Sequence, residues 1–171
     1  VKDEKTIEKE IIVVDDYSTD NSRKILENYK KNNEIKLILN DKNKGKGYSV
    51  KQGLKEATGD IILIQDADLE YSPSDYNNLI EPILNNHADV VYGSRFKGGQ
   101  ETRVLYFWNT IGHKFLTLIS NMFTNLNLTD MECCYKVFKK DVIKNINLRE
   151  NGFGFEPEVT AKISKKNLKI Y

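Results

Sequence analysis

Only two cysteines occur in the 171 residues, and they are neighbours, Cys133 and Cys134. Adjacent side chains on an extended segment point to opposite faces, so a bridge between them would be strained. Two reduced thiols and a reducing, intracellular compartment are therefore expected. Charge of one sign is also lacking: 26 Lys and Arg stand against 25 Asp and Glu, a net +1, which argues against a nucleic-acid binder and against a disordered polyelectrolyte. No apolar run reaches the roughly 18 to 20 residues of a bilayer-spanning helix. Val1-Lys2-Asp3-Glu4-Lys5 has no apolar stretch of the signal-peptide kind. His87 and His113 show no metal-ligand spacing, and no repeat or low-complexity tract is present. The Lys44-Gly45-Lys46-Gly47 run looks like a phosphate loop but fits neither pattern for one. Asn40 stands where a Walker A needs its first glycine, and Val50 where G-x-G-x-x-G needs its last. That argues against a P-loop kinase and against a dinucleotide dehydrogenase. A compact single domain over residues 1–171, of enzyme size, remains.

What is present is an alternation of short apolar runs with helical patterns. Ile11–Val14, Ile35–Leu39, Ile61–Ile64 and Val90–Tyr92 read as strands. Between them come a helix carrying Ile25, Leu26 and Tyr29, a second from Lys46 to Ala57, and a third from about Ser74 to Leu84. Cys133–Phe138 reads as a further strand and Phe155–Ile163 as a last helix. Strands nearly continuous in Ile and Val, separated by helices, indicate an α/β fold with a mostly parallel sheet and helices on both faces. Such sheets bind ligands beyond the carboxyl ends of their strands.

Acidic residues stand at two of those ends. Asp66-Ala67-Asp68-Leu69-Glu70 follows directly on the third strand. Carboxylates two apart on extended chain share a face, and clustered anions repel unless a cation lies among them. An all-oxygen donor set suits Mg²⁺ or Mn²⁺ bridged to a diphosphate. The competing reading is a solvated acidic turn, and the strand-end location favours the metal. A calcium loop fails, because counting from Asp66 puts Tyr71 at the glycine position and Asn77 at the glutamate position. Asp15 and Asp16 end the first strand, where a carboxylate can accept from a nucleobase N–H or a ribose hydroxyl. Asp20, a little further on, reads as a helix cap.

Ile12-Val13-Val14-Asp15-Asp16-Tyr17-Ser18-Thr19-Asp20, Asn43-Lys44-Gly45-Lys46-Gly47, Asp66-Ala67-Asp68-Leu69-Glu70, Gly93-Ser94-Arg95-Phe96 and the run Thr129 to Phe138 stand in the order seen in family 2 glycosyltransferases. The chain most resembles the branch containing dolichyl-phosphate mannose synthase and bacterial polyprenyl-phosphate glycosyltransferases. The resemblance implies a glycosyltransferase A (Rossmann-like) fold, a GDP- or UDP-sugar donor, a divalent metal (Mg²⁺ or Mn²⁺) and inversion at the anomeric carbon. It implies that Asp15 and Asp16 contact the nucleoside, that Lys46 lies near the nucleotide, and that Asp66, Asp68 and Glu70 surround the metal at the diphosphate. Arg95 and Arg103 would hold an acceptor phosphate, for which a guanidinium fork is well shaped. Arg103 reads equally well as a surface charge.

By the same resemblance, Asp130 matches a position often discussed as a base in this family. A lipid monophosphate, with a second pKa of about 6, is already largely a dianionic nucleophile and needs no base. A sugar hydroxyl does, and Asp130 is then the candidate. Glu156 and Glu158 are secondary candidates, although a helix N-terminus favours carboxylates anyway. The aromatic-rich segment Val104 to Phe123 reads either as an amphipathic helix lying in a membrane interface and receiving a polyprenyl chain, or as a helix packed on the sheet or on a second copy of the chain. The expected activity is transfer of a sugar to polyprenyl phosphate by a cytoplasmic enzyme, peripheral at the inner membrane face. The alternatives are transfer to a saccharide hydroxyl in cell-envelope polysaccharide synthesis, and a nucleotide-sugar-binding module without turnover. Nine polar-rich residues before Glu10 are too few for a first strand and its crossover helix. Further residues are therefore expected between Lys9 and Glu10, and the resemblance implies another strand and a basic segment beyond Tyr171.

Overall fold

The computed structural model describes residues 8–68, 71–96 and 106–171. The chain forms two compact units. One runs to Gly59 and takes back Asn147–Phe155, and the other comprises Asp60–Ile146 and Glu156–Tyr171.

The first unit is built on a strand-helix-strand turn. β1 (Ile12–Asp15) and β2 (Lys36–Leu39) pair in parallel, with Val13 opposite Leu37 and Asp15 opposite Leu39. α1 (Ser22–Lys31) makes the crossover, and α2 (Lys46–Glu56) follows and packs on β1. Asn21, not Asp20, is the N-cap of α1; Asp20 stands one residue earlier, its carboxylate accepting from the Ser22 N–H at 2.9 Å. Lys30 and Lys31 in the last turn of α1 complement its dipole.

Glu10 anchors the base of this unit. Its carboxylate accepts from the Thr58 N–H and hydroxyl, the Gly59 N–H and the Lys36 ammonium. Burial alone would raise its pKa. The bonds from Lys36, Thr58 and Gly59 outweigh that and bring it from the ordinary 4.5 down to about 2. A depressed carboxylate pKa contributes stability that is fully present above pH 4.5 and is lost as the pH falls through 2. Glu10→Gln is therefore expected to be less stable than the native protein by about 1 kcal/mol near neutrality, solvent screening included. The difference should close between pH 4.5 and 2 in urea unfolding followed by circular dichroism. A difference that stays constant with pH would assign the loss to packing instead.

The second unit holds a three-stranded sheet in the order β3-β5-β4. β3 is Ile61–Ile64, β4 is Val90–Tyr92 and β5 is Lys136–Lys139. A 3₁₀ turn, Pro73–Asp75, leads into α3 (Tyr76–Leu84); α4 is Phe107–Thr124, α5 Lys140–Lys144 and α6 Phe155–Ile163. Val90, Val137, Phe138, Val159 and Ile163 are wholly excluded from solvent and form the middle of the core, with Ile143 and Ile83 beside them. The α/β class stands, but the parallel pairing belongs to β1 and β2. β5 runs antiparallel to both of its neighbours, with Val137 opposite Leu63 on one side and Val91 on the other. A short apolar run marks a buried strand without marking its direction, so the sequence pattern does not distinguish the two arrangements. Leu168–Ile170 contributes a parallel bridge, Ile170 to Val90.

Candidate functional site

Asp15 and Asp16 sit where β1 ends, in the first unit. Asp15 is buried, and it accepts from the Ser18 N–H at 3.1 Å and from Arg23 Nε at 2.6 Å. Arg23 Nη2 donates in turn to the Asn40 carbonyl at 2.6 Å. Asn40 Nδ2 donates to Asp16 at 2.8 Å, and Asp16 also accepts from the Lys44 and Gly45 N–H groups at 2.8 and 2.7 Å. Burial raises both carboxyls, but these donors outweigh it and hold both below the usual carboxylate range. Asp15, Arg23, Asn40 and Asp16 thus form one bonded chain tying the end of β1 to the end of β2 and to the start of α2. The sequence reading named the two aspartates and missed Arg23 and Asn40, for which helix position and an isolated asparagine gave no signal.

Lys46 opens α2, within the glycine run. The N–H groups of Gly47 and Tyr48 in the helix's first turn donate to the carbonyls of Gly152 and Asn151, at 3.3 and 2.9 Å. Those donors are spent inside the protein, in keeping with the absence of a phosphate-loop pattern. The glycines serve that contact: a Cβ on Gly45, which has φ +92°, would lie 2.5 Å from the Asn151 oxygen, and one on Gly47 would lie 2.5 Å from the Glu150 oxygen.

In the second unit, Asp66 and Asp68 follow the carboxyl end of β3, Asp66 half-buried and Asp68 exposed. Glu70 and Arg103 lie outside the described residues. Among the described residues no group of three or more His, Cys, Asp and Glu forms a metal cluster. The two aspartates are hard oxygen donors two residues apart, a set that fits Mg²⁺ or Mn²⁺ when phosphates and water complete the shell. From Tyr71 the chain is bonded to the segment ahead of β5. Tyr71 packs on Tyr135 with ring centroids 4.6 Å apart, and its hydroxyl accepts from the Cys134 N–H at 3.0 Å. Tyr135 donates to the Ser72 carbonyl at 2.8 Å, and the Tyr76 hydroxyl donates to Gln65 Oε1. Burial pushes the Tyr76 phenol up to about 12 and raises those of Tyr71 and Tyr135 further. Cys133 and Cys134 are free thiols, both buried, as the adjacency predicts.

Arg95 and Asp130 meet in this unit as a bidentate pair. Arg95 Nε donates to Asp130 Oδ2 at 2.8 Å and Nη2 to Oδ1 at 2.9 Å, while the Arg95 backbone N–H adds a bond of 3.2 Å. The Asp130 side chain is wholly buried and that of Arg95 is 14% exposed. The pairing raises the guanidinium pKa still further. Ser94 and Thr129 add a hydroxyl contact of 2.8 Å, so the two short motifs are laced together.

α4 explains how Asp130 is carried. His113, Thr117 and Asn121, spaced by four, all bind the segment ahead of β5. His113 pairs with Glu132, Thr117 Oγ1 accepts from the Met131 N–H at 3.1 Å, and Asn121 exchanges two bonds with Leu128. The polar stripe of α4 thus faces protein and its apolar residues face outward: Trp108 is 77% exposed, Met122 75% and Phe123 88%. No helix among the described residues is long and apolar enough to cross a membrane. Glu158 pairs with Lys162 one turn on, and Glu156 is buried in the first turn of α6, where it opposes ionisation of the Tyr92 phenol. Lys136, buried in β5 and donating to the Cys133 carbonyl, is a further charged group that the sequence reading passed over inside an apolar run.

The chain is similar to several known proteins. A family model described as "Glycosyl transferase family 2" matches residues 1–146. The chain is 29% identical to a dolichol-phosphate mannosyltransferase of Pyrococcus furiosus over 155 residues, covering 90% of this chain and 44% of that one. It is 30% identical to a UDP-N-acetylglucosamine–dolichyl-phosphate N-acetylglucosaminyltransferase of Methanococcus voltae, covering 94% and 70%. Among solved structures, glucosyl-3-phosphoglycerate synthase of Mycobacterium tuberculosis, in complex with Mn²⁺, UDP and glucosyl-3-phosphoglycerate, superposes with a TM-score of 0.65 at 18% identity, covering 88% of this chain and 52% of that one. The glycosyltransferase A fold is common to both.

Proposed function

Because this chain belongs to glycosyl transferase family 2, and is thus a glycosyltransferase, we propose that it transfers a sugar, with inversion, from a nucleotide-sugar donor to a polyprenyl phosphate at a membrane surface. The observation that carries the acceptor class is α4, whose polar face is engaged by the Asp130 segment while its aromatic and aliphatic residues point away from the protein. A lipid headgroup region accepts such a face, with Trp108 and Tyr106 suited to interface depth. The two relatives named for dolichyl-phosphate acceptors support the same class.

Asp15 and Asp16 are proposed for the nucleoside and Lys46 for the nucleotide. Asp66 and Asp68, with Glu70, would hold Mg²⁺ or Mn²⁺. Bound there, the metal would neutralise diphosphate charge and stabilise the leaving nucleoside diphosphate. Arg95, its fork fixed by Asp130, presents a delocalised cation to the acceptor phosphate, and Arg103 is proposed as its partner. A phosphate dianion attacks unaided, so the protein's work is charge neutralisation and in-line orientation.

Incubating the protein with radiolabelled GDP- or UDP-sugars, Mn²⁺ and a short polyprenyl phosphate tests this directly. Label should pass into the organic phase only when acceptor and metal are both present. Label confined to a water-soluble saccharide, or no transfer with any donor, would overturn the acceptor assignment.

A further inference from the structure

Tyr17 is a bulky residue in a left-handed backbone conformation, with φ +69°. The other non-glycine residues of positive φ among the described ones are all asparagine, which tolerates that region. For a tyrosine the conformation is strained, and burial does not explain its presence, because the residue is 47% exposed. Its ring is nonetheless ordered. The Arg23 guanidinium lies over it, 5.0 Å from the centroid, and that guanidinium is itself fixed by Asp15 on Nε and by the Asn40 carbonyl on Nη2. The ring stands two residues beyond the carboxyl end of β1, where parallel strands present their ligand sites. An oriented aromatic face, backed by a cation and open to solvent at a strand end, is a stacking platform for a planar ring.

We infer that Tyr17 stacks against the nucleobase of the donor, with Arg23 holding the platform in place; the inference rests on the donor-site reading above. Stacking is tolerant of base identity, so Tyr17 supplies affinity for the nucleoside as a class, and edge contacts are left to discriminate among bases.

The test uses the whole chain and two substitutions, neither of which adds backbone strain. Tyr17→Asn removes the ring at a position where asparagine is at home, and Tyr17→Phe keeps the ring. UDP, GDP and inorganic diphosphate are titrated by calorimetry with Mn²⁺ present. Tyr17→Asn should weaken the nucleotide the native protein binds by at least about tenfold, while leaving inorganic diphosphate unchanged and thermal stability undiminished. Tyr17→Phe should stay within about twofold of native. Upfield shifts of the base protons by NMR should appear with the native and Phe proteins and vanish with Asn. Nucleotide affinity unaltered in Tyr17→Asn, or lost together with diphosphate affinity, overturns the stacking role while leaving the donor site in place. If the native protein binds neither UDP nor GDP, the donor-site reading falls and this inference falls with it.

Discussion

Asp130→Ala is expected to lose about 3–5 kcal/mol of stability, because it takes from the Arg95 guanidinium, 14% exposed, the buried carboxylate that pairs with it. Single domains are stable by about 5–15 kcal/mol, so the urea midpoint should fall by a large fraction of its native value. Asp130→Asn is the informative companion. An amide of the same shape keeps one oxygen for Arg95 but removes the charge, and it separates two roles that the alanine variant confounds. A general base must offer a carboxylate oxygen to an incoming hydroxyl. Here both oxygens accept from Arg95, one of them from two N–H groups, and the side chain has no exposed surface. The geometry is that of a group that positions an arginine. With a polyprenyl phosphate acceptor, Asp130→Asn should therefore retain measurable transfer, with the high-pH limb of the rate profile intact. The loss should appear mainly as weaker acceptor binding. Complete loss of turnover with donor and acceptor affinities unchanged would instead establish Asp130 as a base.

The contrast between Asp130 and α4 shows which features are legible in a sequence. The strands of Ile and Val, the adjacent free cysteines and the helix read from about Ser74 to Leu84 follow from local pattern, although that helix begins at Tyr76, after the 3₁₀ turn Pro73–Asp75. The direction of β5 does not, because an apolar run has no polarity and its neighbours are chosen by the return of the chain past α4. Partnerships are likewise hidden. Arg95 and Asp130 are 35 residues apart, Asp15 and Arg23 are joined through a helix, and Asn40 matters because it bridges two strand ends. The position of the acidic pair beyond β3 is legible because the apolar run ahead of it marks the strand. α4 is the instructive case: its amphipathic pattern is plain, but an ordinary surface helix turns its apolar face inward. Only the bonds of His113, Thr117 and Asn121 reveal that here the polar face is the inner one.

Removing Asp68 should weaken Mn²⁺-dependent nucleotide binding by at least tenfold, about 1.4 kcal/mol. Asp68 is exposed beyond the carboxyl end of β3, so its truncation leaves the core untouched and the melting temperature should hold. That separates it from Asp66, which is half-buried and nearer the strand. In a divalent site completed by phosphate oxygens, each protein carboxylate supplies a direct ligand and a full compensating charge. Asp68→Asn, which keeps an oxygen but loses the charge, should fall between native and Asp68→Ala. The reading requires the whole effect to be metal-linked: calorimetric titration of UDP and GDP without Mn²⁺ should give native and Asp68→Ala proteins the same weak affinity, with the gap opening as Mn²⁺ is added. Native affinity that is equal with and without Mn²⁺ would remove the acidic loop from the donor site. It would leave Asp66 and Asp68 as a solvated turn at the end of β3.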